Sequence, residues 1–263
     1  MLLLLAVPAA AHSQAPTEAH ASYSAYLGGL HVADLEADLG LGPNSYQVAV
    51  AYHTTGITSV FVHGHQSYTV SGSWAGMLPR PTEFLALGQW HGEQRVVRID
   101  YQQGSPVIRE LAPTVDVARE AIPPALEQNT IDTVSALAQL VRRVERTGTC
   151  SGSVRTFDGR RVATVQAVTG GEETLQPTSR SLFSGNALRC DFTAQQTAGF
   201  KVDDGPDKDR KPLHGSAWLA PLSHDGPSLP VRLSFETHGL GTMTMYLTAI
   251  SNEPAVNLSL NQH

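Results

Sequence analysis

The stretch CSGSVRTFDGRRVATVQAV, residues 150–168, is the sequence feature that most narrows the choice of fold. Two runs of strand-forming residues meet at the Asp-Gly pair 158–159. Such a pair is a strong short-range signal for a β-hairpin, because both positions of a two-residue turn need a positive φ. With that turn, Phe157 is predicted to lie opposite Arg160. The chain is therefore expected to be built on antiparallel strand pairing.

The two cysteines are both predicted to point into the core of this sheet. Side chains alternate along a strand, so Cys150 shares a small, apolar face with Val154, while the other face carries serine and arginine and suits water. Downstream, Leu188, Cys190 and Phe192 alternate in the same way. A disulfide across these 40 positions would stabilise the fold by roughly 4 kcal/mol in the chain-entropy model. The pattern leaves two separate buried thiols as the alternative.

The amino terminus is typical of an export signal. Residues 1–21 begin with an apolar run too short to cross a bilayer and contain A-x-A-like cleavage sites at 9–11 and 19–21. We therefore predict a signal peptide over 1–21, a single β-rich domain over 22–251 and a tail over 252–263. Beyond the signal no run approaches eighteen apolar residues, so no integral membrane span is expected.

Composition excludes some partners and favours strands. With a net charge of -6 and only 18 lysines and arginines, the chain lacks the basic surface that nucleic acid or an anionic membrane would require. The 23 glycines and 16 prolines, together with a single convincing helix, indicate many short strands joined by turns.

Turn signals divide the chain into these strands. We predict turns at Gly28-Gly29 and His91-Gly92, a break at Leu78–Pro81, a polar loop over Gly170–Pro177 and a last hairpin around His238–Gly241.

One segment has helical rather than strand periodicity. Apolar residues recur at a spacing of 3.6 at Val134, Leu137, Ala138, Val141 and Val144. Asp132 or Thr130 can cap the start of this helix and Gly148 can end it. The predicted fold is therefore mainly β, with a large, curved antiparallel sheet, open or spiralled like a barrel, and one amphipathic helix packed against it.

Candidate chemical groups do not assemble into a site. His63 and His65 would project from the same face of a strand, as a zinc site can use, but no third ligand is evident and exposed turn histidines are the simpler interpretation. The aspartates of residues 203–209 lack the spacing of a calcium loop, and neighbouring basic residues balance them. Arg160 and Arg161 could hold an anion at the hairpin, although charged hairpin tips are common. We predict no metal, no cofactor, no catalytic residue and no enzymatic activity.

Several segments in order resemble one family. They are YSAYLGGL, LPRPTEF, IDTVSALAQLVRR, TGTCSGSVRTFDGRR, LRCDF and LPVRLSFETHGLGTMTMYL. Over residues 22–251 the chain is similar to the domain of unknown function 3108 family of exported Gram-negative proteins. The resemblance implies a periplasmic, sheet-dominated fold with a disulfide between Cys150 and Cys190. The family has no established activity, so no catalytic residue is carried over.

Two functions fit these observations. The first is binding of an apolar ligand, a lipid or a lipoprotein segment, in the groove of the curved sheet, where Met243 and Met245 would suit adaptable packing. The second is a structural envelope-integrity protein that acts through a protein partner and holds no small ligand. Large curved sheets occur in periplasmic proteins of both kinds, which is an analogy of fold alone.

Overall fold

A computed structural model of the protein describes residues 17–55, 64–90, 92–114, 119–202, 210–222, 226–237 and 239–251. The strands in these ranges are β1 (Thr17–Leu27), β2 (Leu30–Leu41), β3 (Ser45–Thr54), β4 (Gly64–Ala75), β5 (Leu78–Trp90), β6 (Glu93–Gln102), β7 (Ser105–Ala112), β8 (Gly152–Phe157), β9 (Val162–Leu175), β10 (Gly185–Ala198), β11 (Leu213–Pro221), β12 (Ser228–Thr237) and β13 (Gly241–Ser251). The helices are α1 (Pro124–Glu127) and α2 (Thr133–Thr147).

The described strands form one 13-stranded sheet in the order β7-β6-β5-β4-β3-β2-β1-β13-β12-β11-β10-β9-β8. Neighbouring strands are antiparallel, and each half of the sheet is a meander of consecutive strands. The first and last strands pair with each other in the middle of the sheet. The predicted mainly-β architecture is confirmed.

The helix α2 begins and ends where its sequence signals predict. The carboxylate of Asp132 accepts a hydrogen bond from the backbone N–H of Ser135 at 2.7 Å, which satisfies an amide that the helix leaves free. At the other end Gly148 takes a left-handed φ of 65°, and its N–H donates to the carbonyl of Val144. Both ends are thus set by local chemistry.

The sheet curls until its two halves enclose α2. The helix contacts β3, β4 and β5 in one half and β8 and β12 in the other. Between the halves, Arg160 at the tip of the β8–β9 hairpin donates to the carbonyl of Pro113 just after β7. A Cβ on Gly159 would collide with Val97 of β6. The core consequently lies inside the curl, around the helix.

The two edge strands are protected in different ways. At β8, the N–H of Ile131 donates to Arg155 and the N–H of Phe157 donates to Ile131, so the segment before α2 covers part of the edge. The edge of β7 carries Pro106, which has no N–H to donate, and the exposed, charged Arg109. Both residues hinder pairing of this edge with another strand. Both devices favour an open sheet with guarded edges.

The register predicted for the hairpin was wrong by two residues on one strand. Phe157 pairs with Val162 rather than Arg160, because the loop spans four residues, 158–161. The side chain of Asp158 accepts hydrogen bonds from the backbone N–H groups of Arg160 and Arg161, at 2.9 and 2.7 Å, which closes the longer loop. Since the shift is an even number, each side chain keeps its predicted face.

Two predicted interruptions are continuous strand. The break at Leu78–Pro81 lies inside β5, where Pro81 stands opposite Gly72 at an irregularity in the ladder that tolerates a missing N–H. The loop predicted over Gly170–Pro177 is mostly the end of β9, which reaches Leu175 and passes a bulge near Gly171. In both places proline or glycine sits at a bulge rather than at a turn.

The predicted terminal segments fall largely outside the described residues. Residues 1–16 of the predicted signal peptide and the tail over 252–263 lie beyond them, whereas residues 17–21 belong to β1, with Ala19 and Ala21 buried. In the part of the chain that the structure describes, no helix is long and apolar enough to cross a membrane.

Candidate functional site

A groove lies inside the curl between α2 and the strands β8–β11. It encloses a cavity of about 210 Å³ that is lined mainly by apolar side chains and reaches the surface along one side of the helix. The side of the helix that faces this groove is therefore packed less closely than the side that carries Ala138 and Val141, which are 0% exposed.

The helical wall of the groove follows from the period of α2. Thr133, Ala136, Leu137, Leu140 and Arg143 are three or four residues apart, so they lie along one face of the helix and line the cavity. Leu137 and Leu140 are half-buried, with the groove on their open side.

The sheet wall follows from the period of the strands. Val154 on β8 pairs with Val165 on β9, and Phe192 on β10 pairs with Ala167 on β9, so these side chains share the inner face. The apolar hairpin face predicted from the sequence is therefore found lining the cavity. Small residues such as Ala167 leave space that the helix does not occupy.

The disulfide lines the groove near the end of α2. Cys150 and Cys190 are bonded, with their Cα atoms 5.9 Å apart, and both are almost fully buried among the lining residues. Cys150 lies two positions after the cap Gly148, so the bond ties the end of α2 to β10. The pairing predicted from the sequence is present in the structure.

Two consecutive arginines of α2 have different surroundings. Arg142 is buried, its guanidinium lies 4.4 Å from the ring centre of Trp74, and it donates to the backbone carbonyls of Gly42, Pro43 and Gly76. It therefore fastens two hairpin turns, β2–β3 and β4–β5, to the helix.

Arg143, one residue on, stands at the mouth of the groove. Its Nη1 donates to the carbonyl of Ser151 at 3.0 Å, and its guanidinium lies over Gly152, where a Cβ would come within 3.2 Å of Cζ. Among the described residues no carboxylate lies within ion-pair distance of Arg143. The charge thus faces the groove entrance with spare donors.

A buried polar cluster marks the other end of the helix. The hydroxyl of Ser135 donates to Asp132 at 2.6 Å and lies 2.7 Å from the hydroxyl of Tyr46. Burial raises the pKa of Asp132, and the hydrogen bonds from Ser135 oppose that effect. Burial also raises the pKa of Tyr46. Asp132 and Ser135 are 0% exposed, so the cluster is closed to solvent, and it caps the helix.

The candidates for metal binding are not brought together. His65 is exposed on β4 and stands opposite His53 on β3, while His63 lies outside the described residues. Another histidine, His214, contacts Thr193 on the outer side of the sheet. Within the described ranges no group of three histidine, cysteine or acidic side chains is placed to hold an ion.

The remaining candidates lie elsewhere or are engaged. The aspartates of residues 203–209 fall outside the described residues. Arg161 is paired with Asp158 at 2.7 Å and Arg160 holds the carbonyl of Pro113, so both arginines stabilise the hairpin tip. Met245 packs against the core from β13 and does not line the groove.

Sequence reasoning missed the second face of α2. Leu137 was assigned to the face that packs on the sheet, although its place beside Leu140 and Arg143 sets it on the groove side. The signal was present, because apolar residues at 137 and 140 widen the stripe beyond what one contact face needs.

Comparison with known proteins supports the fold and the family. A family model described as "Protein of unknown function (DUF3108)" matches residues 22–248. Among solved structures, the chain is similar to a beta-barrel-like protein of domain of unknown function DUF1849 from Brucella abortus, with a TM-score of 0.52 and 15% sequence identity over 90% of this chain and 98% of that one. At this identity the similarity concerns the fold alone. No curated protein matches the sequence.

Proposed function

Because the chain belongs to the DUF3108 family, whose function is unknown, we propose a function from the geometry of its own groove. The protein binds a single apolar chain, such as the hydrocarbon chain of a lipid, between α2 and β8–β11, and it catalyses no reaction. It binds this chain as an exported protein of the cell envelope.

The observation that carries this proposal is an apolar space with one open side. Leu137 and Leu140 form its roof, and Val154, Val165 and Phe192 line its floor. Covering such surface with a hydrocarbon chain would remove apolar area from water, which favours binding by about 25 cal/mol per Å². A mere packing defect would be enclosed, whereas this space opens along the helix.

The size of the groove selects the class of ligand. A volume of about 210 Å³ exceeds the ~150 Å³ of an apolar cavity that binds benzene. It falls short of the ~300 Å³ at which pockets for drug-sized ligands begin. Thr133 and Arg143 both line the groove and, ten residues apart on a helix, are separated by about 15 Å. A narrow space of that length fits one chain and excludes a whole two-chain lipid.

Export is supported by the disulfide and by the apolar amino terminus. A buried disulfide forms and persists in an oxidising compartment such as the periplasm. Of the two cleavage sites in the sequence, the one at 9–11 leaves β1 intact, whereas cleavage after Ala21 would remove the buried Ala19 and Ala21. The intact mass of the exported protein distinguishes the two cleavage sites. A mass that corresponds to a chain beginning at residue 22 would contradict cleavage at 9–11.

Native mass spectrometry tests the binding function. The protein is purified from a periplasmic extract, sprayed intact, and then extracted with organic solvent for lipid analysis. We expect a bound mass in the lipid range that is lost on denaturation. The variant Ala136→Phe, which places a ring in the groove, should lack that mass, and the control Ala249→Phe, on the exposed end of β13, should retain it.

An apo mass for both the unmodified protein and the control would contradict the proposal. It would favour the second hypothesis, a scaffolding protein of the envelope, particularly if a protein partner is isolated with it.

A further inference from the structure

We infer that the chain bound in the groove carries a carboxylate, and that Arg143 of α2 binds this head group at the groove mouth. The inference rests on the proposed function and adds to it the chemistry of the ligand: an anionic amphiphile with one apolar chain, of the fatty-acid class. The carboxylate would stay at the surface while its chain enters between helix and sheet.

Arg143 has unused hydrogen-bond donors, in contrast to Arg142. A guanidinium has five N–H donors. Arg142 uses its donors on three backbone carbonyls and stacks on Trp74. Arg143 makes one hydrogen bond, to the carbonyl of Ser151, and has no carboxylate partner among the described residues. The fold therefore uses the hydrogen-bond donors of Arg142 and leaves most of those of Arg143 available at the groove.

The position of Arg143 suits a head group rather than a buried ion. It lies in the last turns of α2, where the groove meets solvent, so a carboxylate there keeps part of its hydration and need not enter the apolar interior. Gly152 beneath the guanidinium carries no side chain to block the passage from the mouth to the apolar lining. A planar carboxylate matches the guanidinium fork in shape and charge.

The length and polarity of the groove agree with one orientation of the ligand. Arg143 stands at one end of the helical wall, and the wall then runs past Leu140, Leu137 and Ala136 to Thr133. A chain anchored at Arg143 would lie along the helix with its methyl end toward the start of α2. An uncharged chain would gain the apolar contacts but not the anchor.

Calorimetric titration with dodecanoate and with 1-dodecanol separates the head group from the chain. We expect the unmodified protein to bind dodecanoate roughly tenfold more tightly than dodecanol, since a charge-assisted hydrogen bond distinguishes them. Arg143→Gln should raise the Kd for dodecanoate by roughly tenfold and leave that for dodecanol unchanged. The control Arg146→Gln alters an exposed arginine outside the groove and should change neither.

The possible failures are distinguishable. If dodecanoate and dodecanol bind equally well to the unmodified protein and to Arg143→Gln, while Ala136→Phe abolishes both, the head-group assignment is overturned and the chain-binding function stands. If neither compound binds the unmodified protein, the chain-binding function itself is overturned. Circular dichroism melting of each variant verifies that a lost signal is not lost folding.

Discussion

The two faces of α2 meet the same sheet in different ways. On one face Ala138 and Val141 are 0% exposed and belong to the core, and the helix contacts strands of both halves of the curl. On the other, Leu137 and Leu140 are half-buried above a cavity of about 210 Å³. One helix thus holds the fold together and also leaves a space in it. The difference arises from the sheet, which presents small residues such as Ala167 opposite the second face.

The largest expected effect concerns the disulfide, which holds the groove side where packing is incomplete. Replacing both Cys150 and Cys190 by alanine releases a loop of 40 residues. It should lower the free energy of unfolding by about 4 kcal/mol in the chain-entropy model. Urea denaturation of the variant and of the oxidised protein measures the difference. A loss below about 1 kcal/mol would show that the groove side is held by packing after all.

A smaller effect comes from the same substitution made on each face of the helix. Ala138→Phe forces a ring into a filled interior and should destabilise the protein by about 1–3 kcal/mol. Ala136→Phe places the ring in the groove and should change stability by no more than about 0.5 kcal/mol. Thermal and urea denaturation compare the two. Equal losses for both variants would mean that the faces do not differ.

The smallest expected effect concerns Asp132, which caps the start of α2 and so fixes where both faces of the helix begin. Its pKa is raised above the ordinary 3.8 by burial. The carboxyl of Asp132 therefore holds its proton more tightly in the folded protein than in the unfolded chain. The stability that this difference contributes is complete at pH values below the pKa of the unfolded chain, and it is lost as the pH rises through the pKa of the folded protein. Asp132→Asn keeps the capping oxygen without the charge. Its stability relative to the unmodified protein should increase as pH is raised from about 3 to about 7.

Denaturation at a series of pH values measures this difference. Asp132→Ala, which removes the cap, should cost about 1 kcal/mol relative to Asp132→Asn at every pH. A difference between Asp132→Asn and the unmodified protein that stays constant with pH would show that the carboxyl gains no pKa shift from burial.

Local chemistry explains which elements could be predicted. The limits of α2 depend on Asp132 and Gly148, which act within a few residues of themselves, and both predictions were confirmed. The hairpin loop was predicted too short because the side chain of Asp158 can close either a two-residue or a four-residue connection. The break predicted at Leu78–Pro81 and the loop predicted over Gly170–Pro177 were wrong, because a bulge accommodates proline or glycine when a partner strand is present.

The groove itself could be anticipated only in part. The apolar inner face of the β8–β9 hairpin follows from alternation, and the sequence predicted it. That Leu137 and Arg143 stand over this face depends on how far the sheet curls, which is set by contacts such as that between Gly159 and Val97, 62 positions apart in sequence. No periodicity within a single element contains that information.

The pairing of β1 with β13 has a consequence for the order in which the protein can assemble. Each half of the sheet is a meander whose strands meet neighbours a few residues away, so each can form early and locally. The seam at the centre joins Leu27 to Met243 and His20 to Ser251. It closes only when residues 241–251 have been synthesised and can pair with β1. The strand β13, the last that the structure describes, is therefore the one that joins two separate meanders into a single sheet.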